Sequence, residues 1–380
     1  MSSCRACGHR ETEQVVDLGT APALIGALCD EARDARSAVR GRLDLHLCRR
    51  CGHVANEAFD PRLVDYDENY DNSLHHSPTF QRFADDLASR LVEERGIRGR
   101  HVVEIGSGKG DFLASVCRLG GNHGTGYDPT VDASIDVPDV TLVADYFRPG
   151  QDVEPYDLLV CRHVLEHLDD PAAMLTALRD DAPGPETLFY LEVPSAEFNF
   201  GPEGMWDCIY PHVSYFSAQS IDALVRRCGF EVLAAGTAFD GQFLWVEARP
   251  GVTDETAPAG IEPHLHLVED FGARWRRTTS SWTAEIAQRS DAGDHVALWG
   301  AGAKGVTFLN AVDHAARMSV VDLNPGKWGR YLPGTGHRVD DPGTLAQRQI
   351  ATVLITNPAY RDEIADHLNR IGVRADVVSV

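Results

Sequence analysis

The sequence holds 380 residues, 43% hydrophobic and 24% charged, which predicts two or three domains with cores of their own and excludes global disorder. With 35 Lys+Arg against 57 Asp+Glu the formal net charge is −22, which repels phosphate backbones and argues against nucleic-acid partners. No stretch reaches the roughly 18 consecutive apolar residues of a membrane helix, and the first residues lack a signal-peptide apolar core, so a cytoplasmic chain is expected.

The first elements are two CxxC turns, Cys4-x-x-Cys7 and Cys48-x-x-Cys51, each followed by Gly-His. Nine cysteines, an odd number in a long chain, favour thiols or metal ligands over a disulfide framework. Each CxxC turn aims two thiolates at one cation, and two pairs complete a tetrahedral Cys4 zinc site. With no βαβ context around either pair, structural zinc is favoured over redox chemistry. Leu43, Leu45 and Leu47 alternate with polar residues and predict a strand running into Cys48. A connector with Tyr66 and Tyr70 follows. Ser77-Pro78 then reads as N-cap and first residue of a helix with Phe80, Phe83, Leu87 and Leu91 as its apolar stripe, ended by Gly96.

From His101 to about Arg249 strands alternate with helical patterns, predicting a parallel sheet with crossover helices. Its first strand, Val102 to Ile105, opens into Gly106-x-Gly108-x-Gly110, and a helix begins at Asp111. Glycines there let the backbone pass against a ligand at a helix N-terminus. The turn is E-x-G-x-G-x-G rather than a dinucleotide GxGxxG, and Glu104 suits a cationic ligand or its amino group better than a pyrophosphate. The next strand ends in Asp128, placed for two ribose hydroxyls. A third, Val140 to Val143, leads to Asp145, suited to accept from an adenine amine. A fourth, Tyr156 to Cys161, runs into Arg162-His163-Val-Leu-Glu-His167-Leu.

Two histidines stand out as candidate general bases, because imidazole titrates near neutral pH. His167 begins the helix after the fourth strand. His212 follows the strand Leu188 to Val193, where an open α/β sheet places its ligand crevice.

In the order and spacing of the glycine loop, Asp128, Asp145 and the RHVLEHLDDP segment, the sequence resembles the class I S-adenosylmethionine-dependent methyltransferases. That resemblance implies a Rossmann-like core that binds S-adenosylmethionine through Glu104, Gly106, Gly108, Gly110, Asp128, Asp145 and His163. A narrower resemblance spans the chain. A Cys4 module, this core, and a C-terminal block with Gly300-Ala-Gly-Ala-Lys304-Gly305 and Val321-Asp-Leu-Asn-Pro-Gly-Lys-Trp-Gly-Arg330-Tyr-Leu-Pro-Gly334 look like the sugar C-methyltransferases. Those enzymes methylate carbon 3 of nucleotide-linked keto-deoxysugars in antibiotic pathways. The likeness implies that His212 is the base of their Y-x-E-H-x-x-Y-x-S motif and that His167 is an active-site histidine near the cofactor. Two departures stand: Pro211 occupies the place of the motif's Glu, and Asn72 that of the second tyrosine in E-Y-x-Y-x-S-S. Tyr210 is the candidate to replace a tyrosine near the base.

The expected organisation is a zinc-binding module at 1–60, a methyltransferase domain with helical lead-in at 61–250, a linker and helix at 251–290, and a C-terminal α/β domain at 291–380. The linker, Pro250 to Pro263, is rich in Pro, Gly and acidic residues. Gly300-x-Gly302-x-x-Gly305 follows a strand, and Asp322 lies some twenty residues on, a dinucleotide pattern. Nothing else in the block reads as a hydride-transfer site. The expectation is therefore a docking surface for a nucleotide-sugar substrate, with Lys304 and Arg330 meeting phosphates and Asn72 lining the pocket. The leading reading is a C-methyltransferase, monomeric or homodimeric, with O- or N-methyl transfer to a sugar or other polar intermediate as its rival. A zinc-ribbon binding protein and an NAD-dependent oxidoreductase are more distant ones.

Overall fold

Alternating apolar residues between the two cysteine pairs fold as an antiparallel meander. It comprises β1 (Glu13–Pro22), a short α1 (Ala32–Arg36), β2 (Arg40–Leu47) and β3 (Val54–Asn56). Leu43, Leu45 and Leu47 of β2 are all buried, as their period of two requires. The computed structural model describes residues 3–64, 74–151 and 153–380. Tyr66, Asn69, Tyr70 and Asn72 lie outside the described residues.

α2 (Pro78–Glu93) begins on the Ser77 cap, whose hydroxyl accepts from the Phe80 N–H at 3.3 Å, with Pro78 in the first turn. There follow β4 (His101–Ile105), α3 (Asp111–Gly120), β5 (His123–Tyr127), β6 (Val140–Val143), β7 (Leu158–Arg162), α4 (Pro171–Asp180), β8 (Leu188–Pro194), α5 (Ala196–Asn199), β9 (Ser214–Tyr215), α6 (Ala218–Arg227), β10 (Phe230–Ala238) and β11 (Phe243–Pro250). Seven of these strands form one sheet in the order β10-β11-β8-β7-β4-β5-β6, parallel from β8 to β6, with β11 and then β10 added antiparallel at one edge. The chain runs outward from β4 in both directions, so the switch point where such sheets bind ligands lies between β4 and β7.

Two helices, α7 (Glu262–Glu269) and α8 (Phe271–Asp291), lead to the third sheet. Its strands β12 (His295–Trp299), β13 (Ser319–Val321), β14 (Val339–Asp340), β15 (Ile350–Ile355) and β16 (Asp376–Ser379) are all parallel, in the order β14-β13-β12-β15-β16. α9 (Ala303–Ala311) and α10 (Arg361–Arg370) belong to the same block. The fold is thus α/β, with two Rossmann-like parallel sheets and a cysteine-bearing meander, as the sequence predicts.

The meander is not closed on itself. β9 leaves the central region and pairs antiparallel with β3, Val54 opposite Tyr215 and Ala55 opposite Ser214, making a fourth strand of the first sheet. Among the described residues, no helix is long and apolar enough to cross a membrane.

Candidate active site

The carboxyl ends of β4, β5 and β7 converge at the switch point. Gly106, Gly108 and Gly110 all hold positive φ, so the strand turns into α3 through a backbone path that side chains disfavour. The loop is tied to β5 by the N–H groups of Gly106 and Ser107, both donating to the Tyr127 carbonyl. A Cβ placed on Gly106 would run into Val164, whereas one on Gly108 would meet nothing within 4 Å, so the loop is packed behind and open in front. That opening is the cradle an adenosyl ligand would fill.

Glu104 is 3% exposed, and its Oε2 has no hydrogen-bond partner among the described residues. Burial pushes its pKa up to about 8, an effect that the nearby Arg162 only partly offsets. An orphaned, largely neutral carboxyl beside an open cradle fits a ligand that brings a cationic group, which is what S-adenosylmethionine carries. Asp128 braces the loop: Oδ2 accepts from Gly108 N at 2.9 Å, and Oδ1 from the N–H and hydroxyl of Thr130 at 2.8 and 2.6 Å. A carboxylate has about four acceptor sites, so a ligand's hydroxyls still find room there. Asp145, beyond β6, is exposed and clamped by Arg148 at 2.6 and 2.8 Å, which holds its carboxyl below the usual range.

On the other side of the switch point lies a buried chain of charges. Arg162 and Glu192 face each other across β7 and β8, with Nε donating to Oε1 at 2.9 Å; Tyr190 Oη donates to the other oxygen at 2.9 Å. His163 adopts a φ of 55°, a strained conformation for a side-chain-bearing residue, and its Nε2 lies 3.2 Å from the same Glu192 oxygen. Burial opposes the His163 charge, but Glu166 and Glu192 outweigh it and raise its pKa to about 9. Phe243 meets the His163 ring edge-on at 4.5 Å and stacks on Phe239, forming an aromatic wall beside α2.

Beyond His163 a single 3-10 turn, Leu165–His167, brings Glu166 and His167 against His212. The His167 and His212 rings lie 5.0 Å apart, edge to face. His212 is held by its neighbours: Pro211 O contacts His167 Nδ1 at 3.0 Å, and Val213 N donates to the Glu166 carbonyl at 2.8 Å. Burial first, then the His167 ring, lower the His212 pKa to about 4, so it is neutral at physiological pH. Its Nδ1 is buried without a hydrogen bond.

Three expected site residues are engaged by other parts of the chain. Tyr210 turns toward the first sheet, its hydroxyl accepting from Asp60 N at 2.7 Å and its ring packed over Gly41, so it tethers the meander instead of flanking His212. Arg330 donates to Leu28 O at 2.5 Å and to Asp30 at 3.2 Å, spending its fork on the meander. Lys304 Nζ donates to Gln242 Oε1 at 2.8 Å and sits 5.0 Å from the Phe198 ring, between the second and third sheets. Glu166 was missed. In sequence it is one acid among many, and only the fold reveals it as a buried carboxylate among three histidines.

The four cysteines gather into one cluster. Cys4 and Cys51 Sγ are 3.7 Å apart, as are those of Cys7 and Cys48. A tetrahedron with Zn–S bonds of ~2.3 Å has S–S edges of about 3.8 Å, so the thiolates already stand at zinc-binding separation. With four protein ligands no position is left for a catalytic water, and the zinc is structural.

Comparison with known proteins follows these three parts. Residues 4–63 match a zinc binding domain, 75–235 a methyltransferase domain, and 253–376 a C-methyltransferase C-terminal domain. The chain is an S-adenosylmethionine-dependent methyltransferase. More particularly, it is similar to C-methyltransferase NovU from Streptomyces niveus, at 26% identity over 97% of its own length and 92% of the relative's. A ubiquinone biosynthesis O-methyltransferase from Hydrogenovibrio crunogenus is 26% identical over 40% of this chain and 69% of that one. Among solved structures, the chain is similar to the Burkholderia thailandensis 1,6-didemethyltoxoflavin-N1-methyltransferase with bound S-adenosylhomocysteine (19% identity, 47% of this chain and 82% of that chain, TM-score 0.35).

Proposed function

We propose that this enzyme methylates the carbon α to the ketone of a nucleotide-linked keto-deoxysugar, with His212 as the base that generates the enolate. When bound, S-adenosylmethionine supplies an electrophilic methyl group on a sulfonium. The chain's own part is to orient the substrate carbon, remove its proton and exclude water. The observation that carries this reading is the state of His212: buried, neutral above pH about 4, and locked through both flanking residues next to the β7 end of the cofactor crevice. A neutral imidazole accepts a proton, which transfer to carbon requires and transfer to a nucleophilic amine does not. The C-methyltransferase C-terminal domain and the full-length likeness to a C-methyltransferase support the same choice. Glu104, the glycine loop, Asp128, Asp145 and His163 are assigned to the cofactor, and His167 to the substrate side of His212. Lys304 is the cation assigned to the substrate's phosphates, for which it would give up its contact with Gln242.

His212→Ala tests the reading. Deuterium uptake at the α carbon of a nucleoside-diphosphate-linked keto-deoxysugar, in D2O without S-adenosylmethionine, is expected for the native enzyme and lost in the variant, which keeps its cofactor affinity. Methyl transfer without any such exchange would favour an oxygen acceptor, as in the O-methyltransferase relative. Loss of cofactor binding along with turnover would contradict the role of His212.

A further inference from the structure

The motif that His212 matches places an acid immediately before the histidine, and here that place is Pro211. A proline has no charge to lend, yet His212 is not without a carboxylate. Glu166 is 1% exposed, and neither of its oxygens has a hydrogen bond among the described residues. It lies 3.7 Å from His163 Nδ1 and 3.9 Å from His167 Nε2, and the ligating atoms of Glu166, His167 and His212 all fall within 4.8 Å of one another. His212 is 6% exposed, with its buried Nδ1 unpartnered. The backbone keeps the pair in register, because the residue after His212 donates to Glu166's own carbonyl and the residue before it contacts His167.

We propose that Glu166 is the positioning carboxylate of the His212 base: lying within 4.8 Å of an imidazole nitrogen, it stabilises the imidazolium formed when the ring takes the substrate proton. A carboxylate behind a histidine does this without itself being protonated. The proposal rests on the reading of His212 as base. Burial opposes the Glu166 charge, but His163 first, then His167 and His212, overcome it and keep the carboxyl below the usual range. The groups facing His212 are His163, Glu166 and His167 from the turn after β7 and Asp207 from the turn before β9. A proton arriving on His212 meets two anions that favour it, Asp207 and Glu166, and of these Glu166 is the one whose carboxylate lies within 4.8 Å of an imidazole nitrogen of His212 in the cluster with His167. The same constellation has the ligand types of a divalent-cation site. The two roles are separated by metal uptake.

The test uses full-length, zinc-loaded protein labelled with 15N-histidine. Glu166→Gln keeps the shape and removes the charge, and an anion within about 4–6 Å shifts a neighbour by about one pH unit or more. The His212 ring, identified by its loss in His212→Gln, is therefore expected to protonate at a pH lower by about that amount, and Glu166→Asp is expected to recover most of the shift. Substrate-carbon deuterium exchange should slow by about 10²-fold in Glu166→Gln, with cofactor affinity unchanged. A His212 titration identical in native and Glu166→Gln protein would overturn the proposal while leaving the base reading intact. Full methyl transfer by His212→Gln would sink the base reading first. Uptake of a second divalent ion, Mg2+ or Mn2+ beyond the structural zinc, that disappears in Glu166→Gln would also overturn it, by making Glu166 a metal ligand.

Discussion

A carboxyl at the end of β4 shows how a binding site draws on stability. Glu104 titrates near 8 in the fold because burial penalises its charge, against about 4.5 in an unfolded chain. Between those values the native state holds a proton that the unfolded state has released, so stability falls as pH rises from about 4.5 to 8, by up to ~1.4 kcal/mol per unit. Above that window the whole penalty is present. Glu104→Gln removes it: the variant's melting temperature is expected to exceed the native one at pH 8 and to match it near pH 4.5, as thermal scans across pH would show. The same change deletes a carboxyl able to ionise against the cofactor's cationic end, and calorimetry should find affinity for S-adenosylmethionine lower by about tenfold or more. A variant less stable at pH 8, or one binding as tightly, would refute the assignment. Glu104 was legible in the sequence because an acid inside a strand end, just before three spaced glycines, has few other uses. Glu166 was not: His163 and His167 flank it in sequence, but His212 comes from the segment before β9, and spacing along the chain carries no trace of that meeting.

At the level of elements, the two-residue β9 links metal to chemistry. It pairs with β3, three residues beyond Cys51, and begins two residues after His212. Asn56 N donates to Val213 O at 2.9 Å, and the His53 and Phe216 rings lie 5.1 Å apart. The zinc knuckle thus fixes one flank of His212, while the cofactor loop hangs on β4 and β5, in another sheet. Cys48→Ser, or chelation of the zinc, is expected to speed hydrogen exchange at Val213–Tyr215 and abolish substrate-carbon exchange, with affinity for S-adenosylmethionine kept within a few fold. Equal loss of both functions would mean that the knuckle supports the whole fold and has no particular hold on His212. The knuckle itself was plain in the sequence, since CxxC spacing has few structural meanings, and so was α2, with its Ser-Pro start. The pairing of β9 with β3 was not: two residues give no periodicity, and their partners lie some 160 positions away. Tyr210 and Arg330 were misplaced for a related reason. Tyr210 is expected near the base and Arg330 at a phosphate, but an aromatic hydroxyl and a guanidinium serve equally well as ties to the backbone of another module, and only the packing distinguishes the uses.

Across the whole molecule, the third sheet packs on the segment after β8 through apolar contacts such as Trp206 against Phe308, 5.0 Å between ring centroids, and is pinned to the second sheet by a buried amide. Gln242, in the β10–β11 turn, exchanges two hydrogen bonds with Asn357, at 3.0 and 2.9 Å, and accepts from Lys304 Nζ at 2.8 Å. Burial lowers the Lys304 pKa, so this ammonium depends on the Gln242 oxygen more than an exposed lysine would. Nearby, Glu363 of α10 accepts from the Ser77 hydroxyl at 2.7 Å and from Thr79 N at 3.0 Å, adding a C-terminal acid to the α2 N-terminus, where it also complements the helix dipole. These ties hold the Lys304 loop against the turn that carries the aromatic wall beside His163. Gln242→Ala leaves Asn357 and a buried ammonium unsatisfied, a loss of about 1–3 kcal/mol. The expected result is a lower melting temperature, faster proteolysis in the 250–263 linker, and a raised KM for the proposed nucleotide-linked substrate with cofactor affinity unchanged. The split between the two ligands is what matters: a substrate dock built by the third sheet loosens when its hinge amide is removed, whereas a third sheet that only stabilises the fold would leave KM where it was.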